Sequence, residues 1–303
     1  ETSDMTLVTS HARLGHGMSV GCAGTVNISG IGSIFLSGGG GSVTSSSVTM
    51  QHNSGYSIVN KCVSKWGPYD FFKFDSLLGR TFSFEVDLAQ VGCGCNLALY
   101  LVDSPGKDPS GKPSPGSCSS NPYYCDANQV CGQWCPEIDI MEANTAAFQA
   151  TPHKCGEPTN GHYSWCDRGG CAENTKIKSQ AYGAGAQFTI DTTREFTVST
   201  RFEGSSWGGS LNATWSQMVT TLKQGGKSIE LFHSNCGSDY LAKLAPSLVS
   251  GMAMRFSYWG STADKMSWLD SPPCGGESCN GGAARISNLR LEHSEALSPP
   301  YVA

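Results

Sequence analysis

The sequence contains few charged residues and no long apolar run. Only 15% of its 303 residues are charged, below the roughly 25% that is usual for soluble domains. No stretch of about 18 apolar residues occurs, so no membrane span is expected. The formal net charge is −5, and no run of lysine or arginine is long enough to follow a phosphate backbone. Nucleic acid is therefore not an expected partner. The N-terminus lacks a basic segment followed by an apolar core, so any signal peptide is expected to have been removed.

Glycine is abundant, with 37 residues, and serine, threonine and asparagine fill the polar positions. Amphipathic helices need Glu, Lys and Leu at a 3.6-residue period instead. Alternating or wholly apolar patterns predict strands at 47–51, 56–60, 81–87, 97–102, 188–190, 196–202, 217–221, 228–232, 253–259 and 284–292. A short helix is predicted over 240–249, and the glycine run 38–41 indicates a turn or flexible connection. Many short strands separated by turns predict an all-β sandwich or barrel, here a single domain spanning 1–303.

The cysteine content indicates an oxidising compartment. Fourteen cysteines, an even number, predict up to seven disulfides and a secreted protein. Zinc is the alternative, because Cys131 and Cys135, and likewise Cys166 and Cys171, are close in sequence. Structural zinc sites, however, favour tighter cysteine pairs with Cys or His partners at regular spacing. Two glycosylation sequons, at Asn27 and Asn212, agree with secretion.

The segment from Cys135 to Asn144, CPEIDIMEAN, carries the strongest chemical signal. In a strand, Glu137 and Asp139 share a face, while the isoleucines beside them point into a core. Glu142 follows Glu137 by five positions, which would place it on the opposite face of a regular strand. A one-residue bulge between Asp139 and Glu142 would return it to the acidic face. Three acids so close together repel one another and favour a functional site.

A pair of convergent carboxyls is the apparatus of a glycosidase. Retaining enzymes hold the two groups about 5–5.5 Å apart, a spacing that the bulged strand can deliver. Glu137 would then attack the anomeric carbon, Glu142 would protonate the leaving oxygen, and Asp139 would orient Glu137 and lower its proton affinity. A calcium site or a solvated edge strand is the alternative, although calcium loops usually carry Gly, Asn and Asp rather than isoleucine.

The same segment resembles glycoside hydrolase family 7, the cellobiohydrolases and endoglucanases. EIDIMEAN is followed by His153 in TPHKC, and several other segments agree in order over roughly residues 55–292. These are LLGRTFSFEVDL, CGCNLALYLVD, YYCDA, CDRGGC, FTIDTTREFTVSTRF and MSWLD. The acidic motif alone is also found in family 16, which includes laminarinases.

The resemblance implies a concanavalin-like jelly-roll β-sandwich of two antiparallel sheets, with long disulfide-stapled loops and a cleft across the concave sheet. It assigns the nucleophile to Glu137, the assisting carboxylate to Asp139 and the acid/base to Glu142. His153 matches a histidine that tunes the acid/base. Three further positions match residues that bind the sugar chain: the platform tryptophans Trp259 and Trp268, on either side of the cleavage point, and the glycon-side tyrosine Tyr124.

Several departures from the family indicate a short, open cleft and endo-acting cleavage. The chain is short between Cys125 and Cys135, Met141 replaces a tryptophan, and product-side arginines are absent from 272–284. The expected activity is a retaining endo-β-glucanase acting on β-1,4-glucan as a monomer, without a metal or cofactor. The alternatives are a hydrolase of β-1,3-containing or charged glycans, a glycan-binding protein without turnover, and a calcium-stapled wall protein.

Overall fold

The structure, a computed structural model, describes residues 21–75, 77–205, 213–260 and 266–294. Its strands are β1 Cys22–Ile28, β2 Gly32–Val43, β3 Ser47–Val59, β4 Lys73–Phe74, β5 Arg80–Asp87, β6 Cys95–Val102, β7 Glu137–Ala143, β8 Phe148–His153, β9 Glu173–Asn174, β10 Tyr182–Gly183, β11 Ile190–Asp191, β12 Phe196–Ser205, β13 Thr214–Gln224, β14 Lys227–Phe232, β15 Met252–Gly260 and β16 Ala284–His293. Its α-helices are α1 Ser238–Ala242, α2 Ala245–Ser250 and α3 Ser267–Asp270. None of the described helices is long and apolar enough to cross a membrane.

Fourteen strands form one antiparallel sheet that curves nearly into a barrel. Its main path runs β14-β13-β12-β5-β16-β3-β15-β6-β7-β8-β9. Apolar side chains from both halves of this path, such as Phe84 on β5 and Leu99 on β6, pack into one core. The predicted all-β sandwich is confirmed, and its two layers are continuous through β3. Strands β10 and β11 form a separate parallel pair.

The long strands β2 and β3 belong to both layers. The first part of β3, Ser47–Met50, pairs with β16, whereas Ser54–Ser57 pairs with β15. The ladder between β2 and β3 shifts register between Gly39 and Gly41. A Cβ on Gly41 would lie 1.9 Å from the carbonyl oxygen of Thr49, so only glycine permits this close approach. The glycine run is thus a bend inside a strand, and its prediction as a turn or connection was wrong.

The structure also tests three other predictions on fold: the buried strand at 97–102, the helix over 240–249 and the strand at 188–190. Strand β6 is buried almost throughout, as its continuous apolar run predicts. The predicted helix exists as α1 and α2, because Pro246 lacks an N–H and fits only the first turn of a new helix. Of the predicted strand 188–190, only Ile190 lies in a strand. The sequon at Asn212 lies outside the described residues.

All fourteen cysteines are paired, which confirms the disulfide prediction over zinc. The pairs are Cys22–Cys62, Cys93–Cys274, Cys95–Cys279, Cys118–Cys131, Cys125–Cys135, Cys155–Cys166 and Cys171–Cys236. Four of them staple the segments on either side of β7 and β8, and so hold the walls of the site described next.

Candidate active site

Strand β7 carries the acidic segment and contains the predicted bulge. Its register with β6 and with β8 shifts between Asp139 and Glu142. Ile140 and Met141 both lie fully buried in the core between the layers. Because two successive residues turn inward, Glu142 returns to the face that carries Glu137 and Asp139. The bulge is confirmed, and Met141 is one of the two residues that it turns into the core.

Glu137 is buried and accepts a hydrogen bond from the loop that precedes β7. Its Oε2 accepts a hydrogen bond of 2.9 Å from the backbone N–H of Ala127, beside the disulfide Cys125–Cys135. Burial raises the pKa of Glu137 well above its ordinary value, and repulsion by Asp139 and Asp126 adds to this effect. The N–H of Ala127 acts in the opposite direction, since it stabilises the charged form.

Asp139 and His153 form a buried pair. His153 Nε2 lies 2.9 Å from Asp139 Oδ2, and His153 Nδ1 lies 2.9 Å from the carbonyl oxygen of Asp167. The carbonyl of Asp167 only accepts, so Nδ1 donates to it, and an imidazolium ring would also donate from Nε2 to the Asp139 carboxylate. Burial by itself lowers the pKa of His153, but the hydrogen bond and charge of Asp139 outweigh it and raise the pKa.

Glu142 is partly buried and receives a hydrogen bond of 2.8 Å from Asn96 Nδ2 on β6. Burial raises the pKa of Glu142 to about 8, and repulsion by Asp139 adds to this rise. The donor Asn96 and the positive His153 act against it. A carboxyl with such a pKa holds its proton at neutral pH, as a general acid must.

Asp126 is a fourth carboxyl in this region that sequence analysis did not single out. It is buried, and its Oδ1 accepts hydrogen bonds from the N–H groups of Asn128 and Val130. Burial raises the pKa of Asp126 to about 7 despite these donors. Repulsion by Asp126 contributes to the raised pKa of Glu137, so these two carboxyls titrate as a coupled pair.

Polar side chains on β6 form the floor next to the acids. Asn96 and Tyr100 lie four apart, and Tyr100 pairs in register with Asp139 on one side and Arg255 on the other. These two polar residues interrupt an otherwise apolar strand at even spacing, which is the signal that could have identified them. Their role as neighbours of the acids was missed because the strand was interpreted only as buried core.

Tyr124 lies in an aromatic cluster that covers the floor beyond Tyr100. It is 6% exposed, and its hydroxyl is 3.1 Å from the hydroxyl of Tyr100. Its ring centroid lies 5.5 Å from the guanidinium of Arg255, which also lies 4.2 Å from the ring of Phe71. Burial lowers the pKa of Arg255 to about 10. Tyr100, which is in register with Asp139, connects this cluster to the acids.

The two predicted platform tryptophans, Trp259 and Trp268, lie on different elements and differ in exposure. Trp259 is partly buried near the end of β15, in register with Asn96. Trp268 is 40% exposed on α3, and its carbonyl oxygen accepts a 2.8 Å hydrogen bond from Lys176 Nζ. Lys176 follows β9, so Trp259 and Trp268 are attached to strands on opposite sides of β7.

Among the described residues, one group of potential ligands is free of disulfides. Glu137, Asp139 and His153 offer ligand atoms that all lie within 4.8 Å of one another. Two of these residues already hydrogen-bond each other, and Glu137 is bound by Ala127. These three side chains are the candidates for binding a cation, should one enter the cleft.

Comparison with known proteins gives consistent relatives. The sequence profile of glycosyl hydrolase family 7 matches residues 125–239. Endoglucanase EG-1 of Trichoderma longibrachiatum is 28% identical over 271 residues, which cover 82% of this chain and 57% of that protein. Endoglucanase 1 of Pyricularia oryzae is 30% identical over 258 residues, 71% of this chain and 61% of that protein. The chain thus spans a little more than half the length of these curated relatives.

Solved structures show the same fold. The native endocellulase EGI of Humicola insolens superposes with a TM-score of 0.62 at 24% identity, over 83% of this chain and 77% of that one. A family 7 cellobiohydrolase of Daphnia pulex gives a TM-score of 0.61 at 20% identity, over 86% of this chain and 81% of that one. The predicted jelly-roll sandwich is therefore confirmed.

Proposed function

We propose that the chain is a member of glycosyl hydrolase family 7 and that it is a secreted retaining endo-β-glucanase that hydrolyses β-1,4-glucan. One observation carries the proposal. Glu137, Asp139 and Glu142 share one face of β7 because of the bulge, and each has a different partner. Endoglucanases among the relatives support the substrate class.

In the first step Glu137 acts as the nucleophile. Its carboxylate attacks the anomeric carbon, the bond from that carbon to the leaving oxygen breaks, and the proton of Glu142 passes to the leaving oxygen. Asn96 holds Glu142 by Oε1, which orients the carboxyl for this transfer. The N–H of Ala127 stabilises ionised Glu137 before the attack and holds its orientation.

In the second step Glu142, now ionised, removes a proton from water. The water attacks the anomeric carbon, the ester bond to Glu137 breaks, and the product retains its configuration. The pKa of His153 is raised beside Asp139, which favours an imidazolium whose positive charge offsets the charge of that carboxylate. That pairing limits the repulsion that Asp139 exerts on Glu137, so the nucleophile can carry its charge when the sugar departs.

The strand order gives the cleft a direction. We assign the glycon side to β6 and β15, with Tyr100, Tyr124 and Trp259, and the aglycon side to β8 and β9, with Trp268. Indole rings stack on the flat C–H faces of glucose by dispersion and hydrophobic contact. Trp268, which is 40% exposed, offers the more accessible face.

The remaining expectations complete the proposal. Seven disulfides fit an extracellular enzyme, and β-glucan is its only expected partner, without nucleic acid or membrane. We propose that residues 1–303 form one catalytic domain that acts as a monomer.

Nucleophile rescue tests the proposal directly. The wild-type chain is incubated with carboxymethyl-cellulose, barley mixed-linkage glucan, laminarin and a uronic-acid glucan, and reducing ends and chain length are followed. We expect a rapid fall in chain length on the first two. Glu137→Ala should lose turnover and regain part of it with azide, yielding an α-glycosyl azide. Glu195→Ala, which alters an exposed glutamate paired with Arg285, is the matched control and should keep activity.

Other outcomes identify the alternatives. Activity confined to laminarin or the charged glucan would keep the acids but overturn the substrate. Binding without cleavage would indicate a glycan-binding protein, and calcium-dependent melting without cleavage would indicate a structural role. An α-glycosyl azide from Glu142→Ala, instead of Glu137→Ala, would reverse the two assignments.

A further inference from the structure

A short loop between two disulfides lies on the cleft face next to the acids. Residues 166–171 follow β8 and are fixed at their ends by Cys155–Cys166 and Cys171–Cys236. A Cβ added to Gly170 would lie 2.4 Å from Thr151 Cγ2 and 2.6 Å from His153 Nδ1. Thr151 and Asp139 are partners in the β7–β8 ladder. The loop therefore covers β8 immediately beside the acids.

The loop is held rigidly from below. The carbonyl oxygen of Asp167 accepts the hydrogen bond of His153, and Asp167 Oδ2 accepts a 2.8 Å hydrogen bond from the hydroxyl of Tyr240. The same O–H is shared with the carbonyl oxygen of Pro152 in β8, which lies 3.3 Å from the Tyr240 hydroxyl and forms the weaker arm of the hydrogen bond. The backbone at Asp167 is thus a fixed base, and the next residue, Arg168, extends from it into solvent.

The guanidinium of Arg168 lies over the ring of Trp134, in the segment that precedes β7. Its guanidinium carbon lies 4.9 Å from the centroid of Trp134. Trp134 packs on the small cluster that contains Ala127 and the disulfide Cys155–Cys166. Trp134 packs beside Ala127, whose N–H donates to Glu137. Arg168 follows Asp167, whose carbonyl oxygen accepts from His153.

The guanidinium keeps its hydrogen-bonding capacity in this position. Among the described residues, Arg168 forms no ion pair and no hydrogen bond, whereas Arg194, Arg201 and Arg285 each pair with a carboxylate. Stacking uses the face of a guanidinium and leaves its five N–H donors at the edge, where they can bind acceptors. Sugar hydroxyls are such acceptors, and stacking on Trp134 reduces the entropy lost when they bind.

We propose that Arg168, held on Trp134, is a substrate-binding residue of the aglycon side that binds the hydroxyls of glucosyl units beyond the cleaved bond. The side follows from the strand order, because the loop covers β8 while Tyr124 and Trp259 lie across β6 and β15. The inference rests on the proposed glucanase function and deepens it, since it names a contact that selects substrates with sugar on the leaving-group side.

Two substrates that differ on the leaving-group side test the inference. Cellopentaose carries sugar on both sides of the cleaved bond, whereas an aryl β-cellobioside has only a nitrophenol as its leaving group. For Arg168→Ala we expect the ratio of kcat/KM on cellopentaose to kcat/KM on the aryl cellobioside to fall at least tenfold. Arg168→Lys should restore the ratio only in part, because lysine lacks the flat fork that stacks and donates.

The controls separate the possible failures. Arg194→Ala, an exposed arginine of the other layer, should leave the ratio unchanged. An equal loss on both substrates, or no loss on either, would overturn the inference and leave Arg168 as a structural contact. If the wild-type chain cleaves neither substrate, the proposed function fails. Calorimetry of cellopentaose with Glu137→Gln then decides, since Arg168→Ala in that background should weaken binding about tenfold, and unchanged binding would overturn the inference.

Discussion

Adding a methyl group at Gly170, in the loop that covers β8, should displace side chains of the candidate active site. Gly170 has a φ of +62°, a left-handed conformation that costs an L-residue about 1 kcal/mol. The added Cβ of Gly170→Ala would lie 2.4 Å from Thr151 Cγ2 and 2.6 Å from His153 Nδ1. Ordinary contacts between carbon atoms are about 3.5–4.0 Å. The loop or the imidazole must therefore move by about 1 Å, the difference between these distances.

Either movement stretches the contacts of His153. The ring would lose its alignment with Asp139 or with the carbonyl of Asp167, and Asp139 would then repel Glu137 more strongly. A displacement of about 1 Å near a reacting centre can lower kcat by about 100-fold. With a destabilisation of about 2–3 kcal/mol from strain and crowding, the Tm should fall by about 3–5 °C.

The neighbouring glycine gives the matched control. A Cβ on Gly169 would meet only Asp167 Oδ1, at 3.7 Å, and its φ is not in the left-handed region. Steady-state kinetics on a soluble β-glucan and thermal melting of both variants compare the two positions. Equal kcat values for Gly170→Ala and Gly169→Ala would refute the claim that this loop holds His153 in place.

Two further predictions concern Glu142, the proposed general acid, and Trp268, the proposed aglycon platform. The pKa of Glu142 is about 8 in the folded state against an ordinary 4.5, so the folded state favours its proton. That contribution is complete below about pH 4.5 and is lost as the pH rises through about 8. Glu142→Gln should therefore be more stable than wild type at pH 8, by about 4 kcal/mol in unfolding free energy, and lose the difference near pH 4.5. Melting curves across this range check it, with Glu195→Gln as control, and parallel curves for wild type and Glu142→Gln would contradict it. Lys176 Nζ donates to the carbonyls of Ser267, Trp268 and Ser271, so Lys176→Met should raise KM about threefold to tenfold with little change in kcat, and Lys176→Arg should retain most binding. A fall in kcat at constant KM would contradict a role in holding Trp268.

Hydrophobic alternation predicted most of the sheet but not the path of its longest strands. The patterns at 47–51 and 56–60 correspond to one strand, β3, and not to two. Between them Asn53 takes a φ of +63°, and the strand passes from one layer to the other. The alternation breaks at this point because the two halves of β3 belong to different layers. Each half therefore buries a different face against the core. Periodicity cannot distinguish such a bend from a turn, since both interrupt the pattern.

The walls of the cleft were less predictable than its floor. The contacts of Tyr124 with Tyr100 and Arg255 depend on the long excursion over 103–126, whose course is set by disulfide pairing and by packing on the sheet. Spacing in sequence does not determine which cysteines pair. The carbonyl of Asp167 and the N–H of Ala127 are backbone groups, so no residue type announces their contact with His153 and Glu137.

The bulge in β7 shows what made the acids predictable. Glu137 and Glu142 differ by five positions, an odd offset. A regular strand would therefore bury one of them unpaired in the apolar core, at a cost of several kcal/mol. Ile140 and Met141 are both apolar, so a regular strand would also place one of these two on the polar face. One extra residue on β7 removes both penalties at once, because both apolar side chains enter the core and both glutamates face the cleft. The chemistry of the side chains therefore selects the irregular backbone, and the irregular backbone brings the carboxyls together.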